Sequence, residues 1–567
     1  MPVMKTFRPV GAEPLLTATH TRIKPFNQLL MHETLLLVLS LITGVAFLVI
    51  LAQRLRISTP IFLVLGGLAA SFVPGVPSIR INPDLVFLIL LPPILFEAAW
   101  FTSWKEFWRW RRIILMLAFG FVLITSSAVA LVSHWMIPGI TLSLGFLLGA
   151  IISPPDAVAA TSVLKGVRIP KRIISVLEGE SLVNDAASLI IFRFALAAVL
   201  DNSFAWQQAT LSFFYVSIAG IAVGLLFGLL FFAIFRWVPM SSNISIVLSF
   251  VAPYLMYLSA EQIHSSGVMA VVAGGMFLSY HNHKFFSNTA RLHGTAVWSA
   301  VIFVLNGLVF LMIGLELPVV MEGLKEYSVT QALGYALVIT AVVILVRLLS
   351  SMATTAFTWV AGHFIYVEDR RPGFRTSLIA SWAGMRGVVS LASALAIPLL
   401  TKSGEAFPHR NLILFITFVV ILITLVVQGF SLPALVKWLN VEDPDHRKSP
   451  SLQRIELHVD LLSQAVAALE QKYPDELEHN PILRNKLLHL KNEIEQLQGD
   501  EPLTNLSSGP AAAYLRIAKE MIHLQRERLN VLRKDINYDD EVIRQHEVRI
   551  DMDEERLQDI LGASEEH

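Results

Sequence analysis

Cysteine is absent from all 567 residues. Disulfides, thiolate metal sites and cysteine nucleophiles are thereby excluded. Charge is scarce too: 16% of residues are charged against 54% hydrophobic, and mean hydropathy is +0.61. Soluble domains carry about 25% charged residues, so this composition belongs to a chain built mainly for lipid. No nucleotide-binding loop, metal-ligand cluster or nucleophile–base arrangement is visible. Enzymatic chemistry, a bound cofactor and a nucleic-acid partner are therefore not expected. Residues 1–33 lack the apolar core of a signal peptide.

The net charge of zero hides an asymmetry. From Val441 onward there are 27 acidic and 16 basic residues, a net of −11, which leaves the preceding 440 residues at +11. The chain divides into an N-terminal extension (1–33), a basic membrane domain (34–440) and an acidic soluble tail (441–567). A bilayer core needs roughly 20 mostly apolar residues per helical span. Thirteen segments qualify, at 34–52, 57–73, 84–101, 112–135, 141–163, 173–200, 211–238, 243–260, 264–280, 295–320, 330–362, 376–400 and 411–439. The second and ninth are short. The expected fold is an all-α polytopic membrane protein with a helical tail.

Loop charge sets the orientation. With the tail in the cytoplasm, the cytoplasmic loops hold 16 basic residues, among them Arg109, Arg111, Lys171, Arg172, Arg370 and Arg375, against 4 in the opposite loops: Arg80, Lys325, Lys402 and Arg410. The positive-inside rule then puts the C-terminus in the cytoplasm and, by the odd span count, the N-terminus outside. Lys5, Arg8, Arg22 and Lys24 oppose export of the N-terminal extension; a physiological start at Met31 is one resolution. The expected location is the cell membrane.

Two spans are interrupted. The fifth contains Ser153-Pro154-Pro155-Asp156, and tandem prolines remove backbone donors. The twelfth contains Gly384-Met385-Arg386-Gly387, a charge between two helix-weakening glycines. An offset of seven fits six spans, a linker span and six more, with counterpart spans running in opposite directions. Broken helices at matching places in inverted halves point to the substrate site of a secondary transporter.

Intramembrane acids concentrate at Glu178-Gly-Glu180-Ser181-Leu-Val-Asn184-Asp185. A carboxylate at the centre of a span costs about 2.5–3.5 kcal/mol on insertion scales, so such a group pairs with a cation or lines a cavity. Glu178, Ser181 and Asp185 stand at 0, +3 and +7, one face of a helix, and Glu180 and Asn184 form the adjacent stripe. A carboxylate plus a hydroxyl suits a hard monovalent cation, and burial of Asp185 lets protons compete for the same site. Arg386 and Arg347 need partners because arginine stays protonated; Arg386 can reach Glu180 across the core. Arg193 is expected to snorkel outward.

At these residues the chain resembles the sodium/proton antiporters of the bacterial NhaP and animal NHE type. The stretches that carry the resemblance are Glu178–Asp185, Leu91-Pro-Pro-Ile-Leu-Phe-Glu97, Ala260-Glu-Gln-Ile-His-Ser-Ser-Gly267, Asn306–Leu317 and Gly384–Gly387, in order over roughly 34–440. The resemblance implies a thirteen-span homodimer whose mobile core carries crossing broken helices five and twelve. It implies Asp185 as the ion- and proton-carrying carboxylate, Ser181 as a ligand, and Asn184 as the asparagine of an Asn-Asp pair associated with electroneutral exchange. Glu180 and Arg386 are implied as a structural ion pair, Asp156 as the acid of the fifth helix, and Glu97 as a flanking acid beside Glu178. The family's usual Thr-Asp-Pro reads Pro155-Asp156-Ala157 here, so the Pro155 carbonyl is the one oxygen that position can offer. The implied activity is exchange of sodium, lithium or potassium for protons. A potassium/proton exchanger, a passive channel and a cation sensor working through the tail are the competing classes. Pore-lining repeats and carboxylate rings, the marks of a channel, are missing.

In the tail, heptad-like apolar seams run through Ile455–Tyr473, Leu483–Leu497 and Leu515–Ile536, separated by Pro474 and by a loop containing Pro502, Ser507, Ser508, Gly509 and Pro510. Asn480-Pro481 suits the start of the second helix. A fourth helix is expected over 540–561, and the bundle as a regulatory or dimer-bracing element.

Overall fold

The computed structural model describes residues 24–74, 86–164, 167, 169–201, 206–324, 327–364, 373–441, 450–498, 510–533, 542–543 and 545–554. The chain forms two compact units, Met1–Asp443 and Pro444–His567. Residues 1–23, Arg80, Lys325, Arg370, the stretch 442–449 and the tail loop up to Gly509 lie outside the described residues, as does Ile536.

Helices in the first unit are α1 Lys24–Leu55, α2 Thr59–Ser71, α3 Leu91–Phe101, α4 Trp104–Leu115, α5 Val122–Met136, α6 Leu142–Ile152, α7 Ala157–Leu164, α8 Lys171–Asp201, α9 Trp206–Trp237, α10 Ser242–Gln262, α11 Gly267–His281, α12 Asn288–Leu315, α13 Leu317–Glu322, α14 Val329–Ala361, α15 Phe374–Trp382, α16 Val388–Leu395, α17 Arg410–Ile423 and α18 Gly429–Leu439. Every expected span overlaps helix. Among the described residues nine helices are long and apolar enough to cross a membrane, and Thr59–Ser71 and Leu88–Phe101 are apolar but shorter. This is a multi-pass membrane protein.

Local chemistry sets many of these boundaries. Hydroxyls at Ser103, Thr141, Ser266, Ser287 and Ser328 each accept the N–H three residues on, capping α4, α6, α11, α12 and α14. Asn440, with φ +41, closes α18 in the left-handed region. The expected twelfth span ran to residue 400, but the helix stops at Leu395. Pro398 follows within the next turn, and a helix cannot pass it without losing a backbone bond.

Packing places one helix at the centre. Ile173, Leu177 and Phe192 of α8 belong to a core with α6 and α17, while Leu182, Val183 and Ala186 join a second core with α3, α10 and α11. The polar stretch of α8 therefore runs between two apolar bodies. Exposed apolar side chains crowd outer faces, as at Leu211, Phe214, Ile218 and Leu226 of α9, the composition a lipid-facing surface requires.

The second unit contains α19 Pro450–Lys472, α20 Pro474–His479, α21 Pro481–Gln498 and α22 Pro510–Leu532, with further helix at 545–554. Asn480 Oδ1 accepts the N–H groups of Ile482 at 2.9 Å and Leu483 at 3.4 Å, so it caps α21 with Pro481 as its first residue. Pro510, expected in a loop, opens α22, where a missing N–H costs nothing. Val466 and Leu490 are buried between α19 and α21, flanked by Lys491–Glu470 at 2.6 Å.

Candidate functional site

The two interruptions fall where the tandem prolines and bracketing glycines put them. One lies at residues 153–156, between α6 and α7, and the other at 383–387, between α15 and α16. They meet: the Asp156 N–H donates to Met385 O at 2.7 Å. Four helix ends therefore converge, two presenting free N–H groups and two presenting free carbonyls.

Each pair of ends meets one opposite charge. Asp156 Oδ1 accepts from Val158 N at 2.8 Å and Ala159 N at 3.4 Å, capping α7, and Oδ2 of the same carboxylate lies against Gly387, the residue that precedes α16. A Cβ at Gly387 would lie 1.7 Å from Asp156 Oδ2; glycine there is what lets the carboxylate reach the backbone of the crossing chain. Arg386, 0% exposed, donates to Ile152 O at 3.0 Å, Ser153 O at 3.4 Å and Gly384 O. Its guanidinium thus occupies the carbonyl ends of α6 and α15, where a cation is favoured.

This geometry corrects one expectation. Glu180 does not pair with Arg386; it forms a two-pronged bridge with Arg347 of α14, Nη1–Oε1 2.6 Å and Nη2–Oε2 3.0 Å, both side chains buried. Arg347 also donates to Ser381 O and Ala380 O, each at 3.2 Å, and lies 4.8 Å from the centre of the Phe121 ring. Two facts decide the partner. The Arg386 donors are taken by carbonyls, and Gly384 leaves room for Arg347, whose Nε would sit 2.2 Å from a Cβ placed there. Arg193, an exposed side chain as expected of one that reaches outward, bridges to Glu261 at 2.5 Å.

Alongside the crossing lies a cavity of ≈ 290 Å³. Glu178, Ser181 and Asp185 from α8 line it together, as their spacing requires, with Glu97 from α3, Pro155 and Asp156 from the first break and Gly387 from the second. Glu178 is exposed, Glu97 half-buried and Asp185 buried, so the acids mark a descent from the mouth to the floor. Ser181 Oγ accepts the Ala157 N–H at 3.2 Å, tying α8 to the start of α7. Asn184 is fully buried, and its Nδ2 donates to Pro155 O at 3.3 Å. Asn306 of α12 and Ser390 of α16 also line the cavity. The sequence singled out neither for a role, although Asn306 lies in a quoted motif. Oxygen donors of this kind, with no sulfur and little nitrogen, suit a hard cation. Among the described residues no group of three or more His, Asp or Glu side chains is arranged to hold a resident metal ion.

Comparison with known proteins agrees with this architecture. Residues 38–438 match the family model described as sodium/hydrogen exchanger, transmembrane. An uncharacterised Na+/H+ exchanger of Mycobacterium tuberculosis is 32% identical over 544 residues, covering 93% of this chain and 97% of that protein. The sodium, potassium, lithium and rubidium/H+ antiporter of Bacillus subtilis is 37% identical over 385 residues, 66% of this chain and 57% of its own length. Among solved structures, the sodium proton antiporter MjNhaP1 of Methanocaldococcus jannaschii superposes with a TM-score of 0.58 at 20% identity, covering 73% of this chain and all of that one. At that identity the likeness speaks for the fold.

Proposed function

The chain belongs to the sodium/hydrogen exchanger family, and from that premise we propose that it exchanges a monovalent cation, sodium first and lithium or potassium besides, for a proton by alternating access. The observation that carries this reading is Asp185: a buried carboxylate beside Ser181, on the wall of a cavity formed against two crossing broken helices. Asp185 takes either the proton or the cation, with Ser181, Asp156 and the Pro155 carbonyl as neighbouring oxygens. Asn184 acts through its bond to Pro155, and the Glu180–Arg347 bridge ties α8 to α14. Glu97 and Glu178 gather cations at the mouth. That mouth lies toward the Lys171 end of α8, the basic and hence cytoplasmic side under the positive-inside rule.

The finer architecture is part of the proposal: thirteen spans as an inverted 6+1+6 repeat, a homodimer in the cell membrane, the N-terminus outside and the acidic tail in the cytoplasm. Exchange is one for one, because Asp185 is the one carboxylate that changes partner. The name of the Bacillus subtilis relative includes potassium, which favours testing it as a substrate. Purified protein in vesicles with an internal pH dye, challenged in turn with sodium, lithium and potassium, tests the reading. Proton movement driven by at least one cation and lost in Asp185→Asn is expected. Wild-type flux in a folded Asp185→Asn protein overturns the assignment of Asp185.

A further inference from the structure

Ser390 stands in the first turn of α16, 1% exposed, and lines the cavity that holds Asp156 and Asp185. Its hydroxyl has no hydrogen-bond partner among the described residues. Serine and threonine inside a helix ordinarily donate to the carbonyl one turn earlier, as Ser133 does to Val129 O, Thr161 to Ala157 O and Thr424 to Val420 O. At Ser390 that turn is the break itself. Gly387 has φ −143 and ψ −140, outside helical geometry, so the Arg386 carbonyl is not stacked beneath Ser390. The crossing thus creates a buried hydroxyl and removes the acceptor that would normally quiet it. Buried polar groups without partners are rare and costly.

Of the other oxygens around Asp185, Asn184 Oδ1 is also buried without a partner among the described residues, and the rest are largely committed. Pro155 has no side-chain oxygen and its carbonyl accepts from Asn184; Asp156 Oδ1 accepts two N–H groups; Ser181 Oγ accepts the Ala157 N–H. A hydroxyl carries two acceptor lone pairs and a proton that rotates to suit. We infer that Ser390 supplies a neutral oxygen to the cation bound at Asp185 and helps set which alkali cation is preferred. This deepens the exchange reading and rests on it.

Ser390→Ala and Ser390→Thr, each purified as full-length protein, test the inference. In vesicles Ser390→Ala raises the cation KM roughly five- to tenfold, the worth of one hydrogen-bond-scale interaction, and raises it unequally for lithium, sodium and potassium. Ser390→Thr keeps the wild-type order. Melting is followed in parallel, first in a buffer whose cation is too bulky to enter the site and then with each alkali chloride. Ser390→Ala melts with wild type in the bulky buffer but gains less from the alkali cation. Equal selectivity and equal cation-induced stabilisation in Ser390→Ala overturn the inference and leave a water as the hydroxyl's partner. A Ser390→Ala protein that melts low without alkali cation, yet gains the wild-type increment with it, makes the hydroxyl structural and overturns it as well. Absence of exchange in wild type would strike the exchange reading alone, since the melting arm still reports on the cation site.

Discussion

Replacing Arg347 with alanine tests the electrostatic organisation of the core more sharply than any other single change. Arg347 makes two bonds to Glu180, at 2.6 and 3.0 Å, and two to the carbonyls of Ser381 and Ala380, with 4% of the side chain exposed. Arg347→Ala strands a carboxylate that is 1% exposed and frees two carbonyls. Breaking a buried pair from one side costs about 3–5 kcal/mol because the remaining charge is uncompensated. Glu180→Gln strands the guanidinium instead, but costs less: Arg347 keeps its two carbonyls and the Phe121 ring face, and the glutamine oxygen still accepts one bond.

The double variant decides the matter. With Glu180→Gln added to Arg347→Ala no charge is stranded, so the double variant is more stable than Arg347→Ala alone. Melting in detergent, read by loss of the monodisperse size-exclusion peak, is expected in the order wild type, Glu180→Gln, double, Arg347→Ala. Coupling between residues in one network is commonly about 0.5–3 kcal/mol, large enough to order these melts. A double variant that melts below Arg347→Ala would refute the pairing. Adding Glu180→Gln to Arg386→Ala is expected to give no such recovery, because Arg386 serves carbonyls; recovery there would move the pair back to Arg386.

Gly387→Ala is expected to abolish cation-driven proton flux, since its Cβ would fall 1.7 Å from Asp156 Oδ2; losing the Asp156 cap on α7 adds about 0.5–2 kcal/mol of destabilisation, read as a lower melting temperature. Under the proposed competition of proton and cation for Asp185, the cation KM should rise as pH falls, approaching about tenfold per unit where the carboxyl is mostly protonated; a KM independent of pH over the active range counts against a shared site. Ending the chain at Asp443, the limit of the first compact unit, should leave a folded protein with the cation site intact and a shifted pH dependence of rate; unchanged kinetics would make the tail an appendage.

How far the sequence could be read depends on whether each signal was local. Tandem prolines at 154–155 and the glycines flanking Met385-Arg386 act on their own backbone, so both breaks could be placed. The spacing of Glu178, Ser181 and Asp185 is likewise local to one helix, and it put all three on the cavity wall. The partner of Glu180 was not local. Arg347 and Arg386 both need partners by charge alone, but periodicity along one helix carries no information about which of two distant helices packs against it. That choice rests on the space beside Gly384 and on the prior claim of two helix carbonyl ends, of α6 and α15, on Arg386. Ser390 was illegible for the same reason: its hydroxyl is orphaned by the crossing, and nothing in Val388-Val389-Ser390 announces it.

The assignment of charges at the crossing bears on stoichiometry. A helix end carries roughly half an elementary charge. Two N-terminal ends, of α7 and α16, together offset the single negative charge of Asp156, and two C-terminal ends, of α6 and α15, offset Arg386. Glu180 and Arg347 cancel as a pair. None of these three devices needs an ion from solution. Asp185 differs: among the described residues no cationic side chain is paired with it, so burial leaves its charge to be cancelled by whatever it binds. On the proposed one-for-one exchange a proton and a monovalent cation do so equally, and Asp185 carries no net charge across in either direction. A membrane potential of 100 mV acts on a moved charge with about 2.3 kcal/mol, so a neutral core should exchange to the same equilibrium at any potential. Clamping vesicles at several potassium-diffusion potentials with valinomycin, with sodium or lithium as the exchanged cation, puts this to the test. The measurement is clean for this purpose if potassium itself proves not to be exchanged. An equilibrium that follows the potential would mean that Asp156 gives up its two helix ends, or Glu178 its place at the mouth, to take part in the proton cycle.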